Sequence, residues 1–485
     1  MILDGRSWNP KAPHQATFLV VGAGPAGITL ALRLAAAGKK VTMIEAGSFD
    51  YDAEIQNDYN GQSTGLPYSL EGTRLRQFGG TSNHWAGMCA PLDPEDFNAS
   101  KATEMPHPGW PISYEDLLPH YKKAAQVLEI PEFFTEDFRQ TSKGAMVDLS
   151  AVGLETKVWA FRPTRFGKRY AKTLALNENI QVLTRTALTD IQLNNDSGHC
   201  RSVTVIAGER KHTINCDHLI LACGGIENAR LLLHCDKQVA SGIGNDSGNL
   251  GDGFMEHFHF YQLGQGHFRV PGSSYNFYRF NYRTDTYGGM LQLSPSLRHK
   301  LNLPNAVLMM HTAEEPTDRL AGAIIEARQS QTASSGFNDS LDFSVGLMAE
   351  QRPGPSRITL SDERDRLGMR RASINWEAGP EELASCAQSV DEITRRLSAS
   401  GHARFRIDTE ITDTTRPGFG SHHIGTTRMA ASDKFGVVDV NCALFAHANI
   451  FMAGSSVMPT GGCANPTFTL VALADRLADY LARNS

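Results

Sequence analysis

A glycine-rich turn close to the N-terminus constrains the fold of this chain more than any other segment. Residues 20–27 read VVGAGPAG and place Gly22, Gly24 and Gly27 in the spacing GxGxxG. In a strand–turn–helix unit, the first glycine permits the tight turn, the second lets the backbone approach a pyrophosphate, and the third lets the helix pack against the strand. Because the helix N-terminus then faces the phosphates, the motif predicts a dinucleotide site.

The segments around this turn have the patterns that such a unit requires. Thr17–Val21 is a short apolar run, Pro25–Ala37 has helical spacing, and Val41–Glu45 is apolar again. They predict a strand, a helix and a second strand of a parallel sheet. Glu45 ends the second strand, where a carboxylate can accept hydrogen bonds from ribose hydroxyls and disfavours a 2′-phosphate. The motif by itself leaves FAD and NAD open.

Composition excludes several classes of protein. A chain of 485 residues suggests two or three domains. Lys and Arg total 46 and Asp and Glu total 52, a net charge of −6 that argues against nucleic acid as a partner. The sequence has no signal peptide pattern, no run of about 18 uncharged apolar residues and no CxxC pair among its eight cysteines. It therefore predicts a reduced, cytoplasmic protein without a membrane span.

Further strand patterns follow in the middle and at the end of the chain. Short apolar runs lie between residues 182 and 222, among them two separate predicted strands at Thr213–Asn215 and His218–Ala222. Another predicted strand, Ile450–Ala453, precedes a closing amphipathic helix. Residues 261–415 lack glycine-loop signals and mix strand-like and helical pieces.

This order predicts an α/β protein with two domains that alternate along the chain. The first is a discontinuous, Rossmann-like dinucleotide-binding domain formed by residues 1–97, 176–260 and 416–485. The second is an α+β substrate-binding domain formed by residues 98–175 and 261–415.

Four segments, which span nearly the whole chain, together resemble the glucose–methanol–choline (GMC) family of flavoprotein oxidoreductases. They are VVGAGPAG with Glu45, FGGTSNHWAG at residues 78–87, LILACGGIENAR at 219–230, and the pair HHIGTTRM at 422–429 and GCANPT at 462–467. The resemblance implies FAD as the cofactor, a flavin that accepts hydride, and an alcohol as the usual donor. The GGTSNHW and NPT forms are similar to the sugar-oxidising branch with pyranose oxidases and bacterial sugar dehydrogenases.

The resemblance also assigns residues to the cofactor. Leu188 would lie in the strand that holds the adenine, and many relatives have Asp in place of Gly454, which leaves the contact of Gly454 with the pyrophosphate open. His84 is implied either to bond covalently to the flavin or to pack against it. The cofactor residues implied in this way, in addition to the three glycines and Glu45, are Gly80, Ser82, His84, Ala86, Leu188, Gly454, Ser455 and Thr467.

His422 and Asn465 are the predicted catalytic pair. Hydride transfer from an alcohol requires a base for the hydroxyl proton, and a neutral imidazole suits that role. The family motif places the base at His422 and leaves the role of His423 open. Asn465 has two interpretations, a helix N-cap with Pro466 at the first helical position or a hydrogen-bond donor to the substrate oxygen, and we favour the second.

Two further patterns have structural and functional interpretations. His257 and His259 would share one face of a strand, a geometry that a metal could use, but no further ligand set accompanies them, and a structural role without metal is favoured. Residues 162–165, RPTR, could line an anionic substrate or brace a domain junction.

The predicted function is oxidation of a CH–OH group of a sugar, glycoside or sugar-bearing natural product. The partners are then a small-molecule alcohol or glycoside and an electron acceptor, either oxygen or another carrier. The alternatives are a lyase that keeps FAD without net redox turnover and a flavin-binding protein that has lost activity.

Overall fold

The computed structural model describes residues 1–10, 13–98, 109–135, 138, 146–194, 198–269, 277–278, 283, 285–312 and 340–485. These residues form twenty strands and eight α-helices. In chain order the strands are β1 (Ile2–Asp4), β2 (His14–Val21), β3 (Val41–Ile44), β4 (Gln62–Gly65), β5 (Met88–Cys89), β6 (Leu154–Phe161), β7 (Ile180–Thr184), β8 (Thr186–Leu193), β9 (Cys200–Ala207), β10 (Arg210–Leu221), β11 (His257–Arg269), β12 (Tyr287–Leu293), β13 (Ala306–Thr312), β14 (Ser340–Glu350), β15 (Arg357–Arg364), β16 (Arg370–Trp376), β17 (Ala403–Ile407), β18 (Gly418–Phe419), β19 (Ala443–Leu444) and β20 (His447–Met452). The helices are α1 (Pro25–Ala36), α2 (Ala53–Asn57), α3 (Tyr114–Leu128), α4 (Phe166–Leu176), α5 (Gly225–His234), α6 (Pro295–Leu301), α7 (Pro380–Ala399) and α8 (Thr467–Asn484).

The first sheet is the predicted parallel nucleotide-binding sheet. Its order is β1-β7-β3-β2-β10-β20-β19. Each pair of adjacent strands in this order, from β1 as far as β20, is parallel. The antiparallel pair β8–β9 extends from β10. Helix α1 contacts the closing helix α8, which also contacts α3. The predicted α/β class is confirmed.

One strand differs from its prediction. The two separate strands predicted at Thr213–Asn215 and His218–Ala222 are halves of the continuous strand β10. Its first half pairs with antiparallel β9 and with β2, and its second half is buried between β2 and β20. The pattern of polar and apolar residues therefore changes within one strand, because the strands that pair with it differ along its length.

The second sheet is antiparallel and lies over the carboxyl ends of the first. Its order is β17-β11-β14-β13-β12-β6-β5, with β18 on β11. It takes strands from several separate parts of the chain, including β5 and β18, which fall in segments predicted for the first domain. The domain boundaries stay a prediction. A third sheet has the order β15-β16-β4. No helix among the described residues is long and apolar enough to cross a membrane.

A buried arginine joins α5 to the loop after β15. Arg230 has a side chain that is 1% exposed, and its Nη1 and Nη2 lie 2.7 Å from Glu227 Oε1 and 2.5 Å from Asp365 Oδ2. Its Nε donates to the carbonyl of Arg370. Every charged partner here is removed from water, so the loss of one leaves the others uncompensated.

We therefore expect Arg230→Leu to lower the free energy of unfolding by about 3–5 kcal/mol. Urea denaturation followed by circular dichroism measures this change. The control is Lys237→Ala, which breaks the ion pair to Asp190 at a side chain that is 73% exposed and should cost less than about 1 kcal/mol. Equal effects of the two variants would contradict the importance of the buried pair.

Candidate active site

A cavity of about 950 Å³ lies between the carboxyl ends of the parallel strands and the second sheet. This edge of an α/β sheet is where ligands generally bind. All but one of the predicted site residues line it, and the exception is Gly27. Those in the lining are Gly22, Gly24, Glu45, Gly80, Ser82, His84, Ala86, Leu188, His422, Gly454, Ser455, Asn465 and Thr467.

The glycines of the first turn divide into packing and ligand-facing positions. A Cβ at Gly27 would lie 2.0 Å from the carbonyl oxygen of Gly22, so α1 packs on the turn at that point. A Cβ at Gly24 would meet no atom within 4 Å, and the same holds for Gly224 and Gly454. These three glycines face open cavity from three different loops, which is the arrangement that lets backbone approach a long ligand.

The donor set in this part of the cavity suits an anionic group. Helix α1 begins at Pro25 after Gly24, has no side-chain cap and carries no acidic residue in its first turn. Its N-terminal N–H groups and the positive end of its dipole therefore face the cavity without a carboxylate in the helix's own first turn. The arrangement fits the pyrophosphate of a dinucleotide.

Glu45 is held in place by two backbone hydrogen bonds. Its Oε2 accepts from Ala23 N and its Oε1 from Gly47 N, both at 2.8 Å. Burial raises the pKa of this carboxyl. Each carboxylate oxygen has a second acceptor position, so a contact with ribose hydroxyls stays a prediction that the geometry allows.

The loop at residues 79–87 is braced from behind. Ser82 Oγ donates to the carbonyl of Gly79 at 2.6 Å, and Arg165 Nη1 donates to the carbonyls of Ser82 and Trp85, both at 2.8 Å. Of the two interpretations of the RPTR segment, Arg165 fits the structural brace. His84 lines the cavity, and burial, with a smaller contribution from Arg165, lowers its pKa.

His422 and Asn465 lie side by side in the cavity. Asn465 Nδ2 lies 3.1 Å from His422 Nε2, and Asn465 Oδ1 accepts from Trp159 Nε1 at 3.1 Å. Since an indole N–H can only donate, the Asn465 carbonyl must face Trp159 and its amide N–H must face His422. The interpretation of Asn465 as a helix cap is wrong, because α8 begins at Thr467 after Pro466. The side-chain carbonyl of Asn465 accepts instead from Trp159 of the second sheet.

His257 was predicted to be structural, but it contacts the predicted base directly. Its Nδ1 lies 2.7 Å from His422 Nδ1. Because His422 Nε2 accepts from Asn465, neutral His422 carries its proton on Nδ1 and donates it to His257. Burial lowers the pKa of His257 to about 4, which keeps it neutral and able to accept.

Glu256 contacts His422 and was not among the predicted site residues. Its carboxylate accepts from Tyr68 OH at 2.6 Å, from the backbone N of His422 at 2.8 and 2.9 Å, and from the backbone N of His257 at 2.9 Å. Its Oε1 lies 3.9 Å from His422 Nδ1. Burial raises its pKa to about 7. The available signal was a carboxylate next to two histidines in the segment MEHFHF.

Family models match most of this architecture. A model described as FAD dependent oxidoreductase matches residues 17–301, and one described as GMC oxidoreductase matches residues 353–474. The chain belongs to the GMC family of FAD-dependent oxidoreductases.

Individual relatives of this GMC enzyme are distant. It is 25% identical to 2-methyl-1,2-propanediol dehydrogenase of Mycolicibacterium austroafricanum, over 97% of this chain and 95% of the relative. It is 26% identical to paromamine 6'-oxidase of Streptomyces fradiae, over 61% of this chain and 52% of the relative. The crystal structure of pyridoxine 4-oxidase from Mesorbium loti covers 96% of this chain and 99% of its own, with 17% identity and a TM-score of 0.59, which shows a shared fold.

The remaining histidines near His422 in this GMC enzyme have different surroundings. His259 lies one pleat along β11 from His257, and its Nδ1 lies 2.5 Å from Tyr261 OH. His423 packs between the rings of Tyr68 and Phe254, at 5.9 and 6.3 Å between centroids. Burial lowers the pKa of His423 to about 3. His423 is therefore neutral; it packs against aromatic rings and also lines the cavity.

The glycine geometry predicts different defects for two neighbouring substitutions. We expect Gly27→Ala to lower the stability of the apoprotein by about 1–3 kcal/mol, because its methyl group overlaps the Gly22 carbonyl. Gly24→Ala should leave apoprotein stability unchanged and weaken FAD binding at least about tenfold, since the methyl group enters only the cavity. Thermal unfolding of apoprotein and fluorescence titration with FAD separate the two effects. Normal FAD affinity in Gly24→Ala would show that the cofactor does not approach this turn.

Proposed function

We propose that this enzyme oxidises the CH–OH group of a small alcohol to a carbonyl, with His422 as the base. The proposal rests on one observation above all, the facing pair of His422 Nε2 and Asn465 Nδ2 in the cavity. A substrate hydroxyl that replaces this direct contact donates its proton to Nε2 and accepts a hydrogen bond from Nδ2. When bound, FAD supplies the acceptor for the hydride of the carbinol carbon.

The surroundings of His422 keep it in the form that can accept a proton. Burial, with smaller contributions from His257, His259 and His423, lowers its pKa well below the ordinary value of 6.5, so the imidazole is neutral at pH 7. The hydrogen bond to His257 places its proton on Nδ1 and its lone pair on Nε2, toward Asn465. Once Nε2 has accepted the substrate proton, the imidazolium lies close to the Glu256 carboxylate, which stabilises the positive charge.

Asn465 is held in an orientation that donates hydrogen bonds, whereas His422 accepts a proton. Trp159 holds its carbonyl, so its N–H groups are directed at the substrate oxygen during the reaction, when that oxygen gains negative character. Helix α8 begins two residues later and has no acidic residue in its first turn. Its N-terminus adds a favourable field for negative charge in the same part of the cavity.

The finer identity of the substrate stays a prediction. A sugar or glycoside, which the motif style indicates, is supported by the partial similarity to paromamine 6'-oxidase. The similarity to 2-methyl-1,2-propanediol dehydrogenase covers more of the chain and supports a small diol. The electron acceptor, whether oxygen or another carrier, and a covalent bond from His84 to the flavin are likewise untested.

We expect His422→Ala to slow flavin reduction by an alcohol by about 10²–10⁴-fold, because the proton then lacks its acceptor. Anaerobic stopped-flow absorbance of the holoenzyme measures the rate, and His299→Ala, at an exposed histidine of α6, is the control. Reduction of His422→Ala at the wild-type rate would refute the base assignment. A flavin that no alcohol bleaches in the wild type would favour the lyase alternative.

The same measurement as a function of pH tests the protonation state. A base is active when neutral, so the rate falls as pH decreases through its pKa. Because the pKa of His422 is depressed, the acid limb should lie below pH 6.5. Protonation of Glu256, whose pKa is about 7, adds its own limb, so the profile is also measured in Glu256→Gln; an acid limb above pH 6.5 that persists in that variant would contradict the assignment.

Two substitutions of His257 separate hydrogen bonding from packing. His257→Leu removes the acceptor for the Nδ1 proton of His422 and should lower kcat at least about tenfold, the effect of one hydrogen bond of about 1.4 kcal/mol. His257→Asn is similar in size to Leu and can place its carbonyl oxygen where Nδ1 was, so it should retain most of the activity. Steady-state kinetics with FAD content checked by absorbance makes the comparison. Equal losses in both variants would assign His257 a packing role only.

A further inference from the structure

The second sheet presents a wall of methionines to the cavity. Met290, Met309 and Met348 lie on the neighbouring strands β12, β13 and β14, and all three line the cavity. They are between 2% and 5% exposed. Met88, on β5 of the same sheet, also lines the cavity.

The strand register places these methionines on the same face of the second sheet as His257 and His259. Met348 pairs with His259 of β11 and with Val307 of β13, and side chains directly opposite each other share a face. Met309 lies two residues after Val307, so it shares that face as well. The antiparallel register of β12 and β13 sets Met290 opposite Met309. His257, two residues before His259, projects from the same face toward His422.

A glycine makes room for this wall. Gly346 lies opposite Met309, and a Cβ there would lie 3.1 Å from Met309 Cε. The Met309 side chain therefore extends across a position without a side chain, and its thioether and methyl group cover the sheet surface there.

Polar side chains on this face are already bonded within the protein. Lys157 Nζ lies 2.5 Å from Asp93 Oδ1. Gln292 donates to Glu155 at 2.6 Å, and Glu350 accepts from the backbone N of Gly462 at 3.2 Å. They are committed to the protein and do not offer a row of donors and acceptors to a ligand.

We propose that the substrate is an alcohol whose carbinol carries an apolar alkyl or aryl body, packed against Met290, Met309 and Met348. This inference rests on the proposed function, because it concerns the part of the same substrate that does not react. Thioethers contact apolar groups of varied shape well. The further hydroxyls of a sugar, in contrast, would lose water against this wall without gaining equivalent hydrogen bonds.

Other polar side chains also line the cavity, among them Ser421 and His423. His259 and Tyr261 bond to each other, and Arg283, which is exposed, lines the cavity. In the proposed function, the contacts to the reacting oxygen come from His422 and Asn465, and the methionines face the rest of the substrate. This distribution suits a single hydroxyl on an apolar skeleton.

Matched pairs of alcohols test the inference with the holoenzyme. Cyclohexylmethanol and a methyl glucopyranoside are both primary alcohols on six-membered rings, and only the second carries ring hydroxyls. Cyclohexanol and inositol make the corresponding secondary pair, and benzyl alcohol and hexanol extend the apolar series. We expect the second-order rate constant for anaerobic flavin reduction to be at least about tenfold higher for the apolar member of each pair.

Variants of the wall connect this preference to the methionines. Met309→Gln and Met348→Gln keep side-chain length and add an amide, and each should lower the apolar-to-polyol ratio at least about tenfold while FAD content stays at the wild-type level. Met309→Leu and Met348→Leu keep the apolar character and should keep the ratio.

The outcomes separate this inference from the proposed function. Faster reduction by the polyol members, or an unchanged ratio in both Gln variants, would overturn the apolar substrate while leaving alcohol oxidation intact. A holoenzyme that no member of the panel reduces would contradict the proposed function, and the inference with it.

Discussion

The catalytic end of the cavity depends on two hydrogen bonds between the second sheet and the loops of the first domain. His257 of β11 bonds to His422, and Trp159 of β6 bonds to Asn465. The first bond directs the lone pair of His422 and the second directs the N–H groups of Asn465. Without the antiparallel sheet, both side chains would lie on loops with several accessible rotamers. In the proposed mechanism, the second sheet therefore orients the acid–base residues and also forms one side of the substrate site.

Burial keeps the histidines at this end of the cavity uncharged. The pKa values of His257, His422 and His423 are all lowered, chiefly by burial. Three imidazoles therefore add hydrogen-bonding capacity to the site without adding positive charge in the resting state. In the proposed reaction, positive charge arises only when His422 accepts the substrate proton, next to the Glu256 carboxylate. The field in the site therefore changes during the reaction, and the His422 imidazole becomes neutral again when the proton leaves.

The sequence predicted the parts of the fold and site whose physical cause is local. The turn at Gly22, Gly24 and Gly27 needs only its neighbours in the chain, so its pattern was sufficient to predict the strand, the helix and the cavity edge. Glu256 and His257 act through His422, which is 166 and 165 residues away. No spacing rule brings such residues together, and MEHFHF alone is compatible with an ordinary buried strand. The residue pattern also left the cap interpretation of Asn465 open for this reason, since Trp159, which holds its side chain, is 306 residues away.

This division between local and distant causes also explains why the motifs indicate a sugar, whereas the methionine wall indicates an apolar alcohol. The motifs lie in loops that line the predicted cofactor site, where the backbone must approach the dinucleotide. The wall is formed by side chains of β12, β13 and β14, where Met, Val and polar residues all satisfy the pleat of a strand. A fold constrains such positions weakly, so they can change with the substrate while the cofactor loops keep their form. For this chain, substrate identity is therefore better argued from the second sheet than from the similarity of its loops to a sugar-oxidising branch.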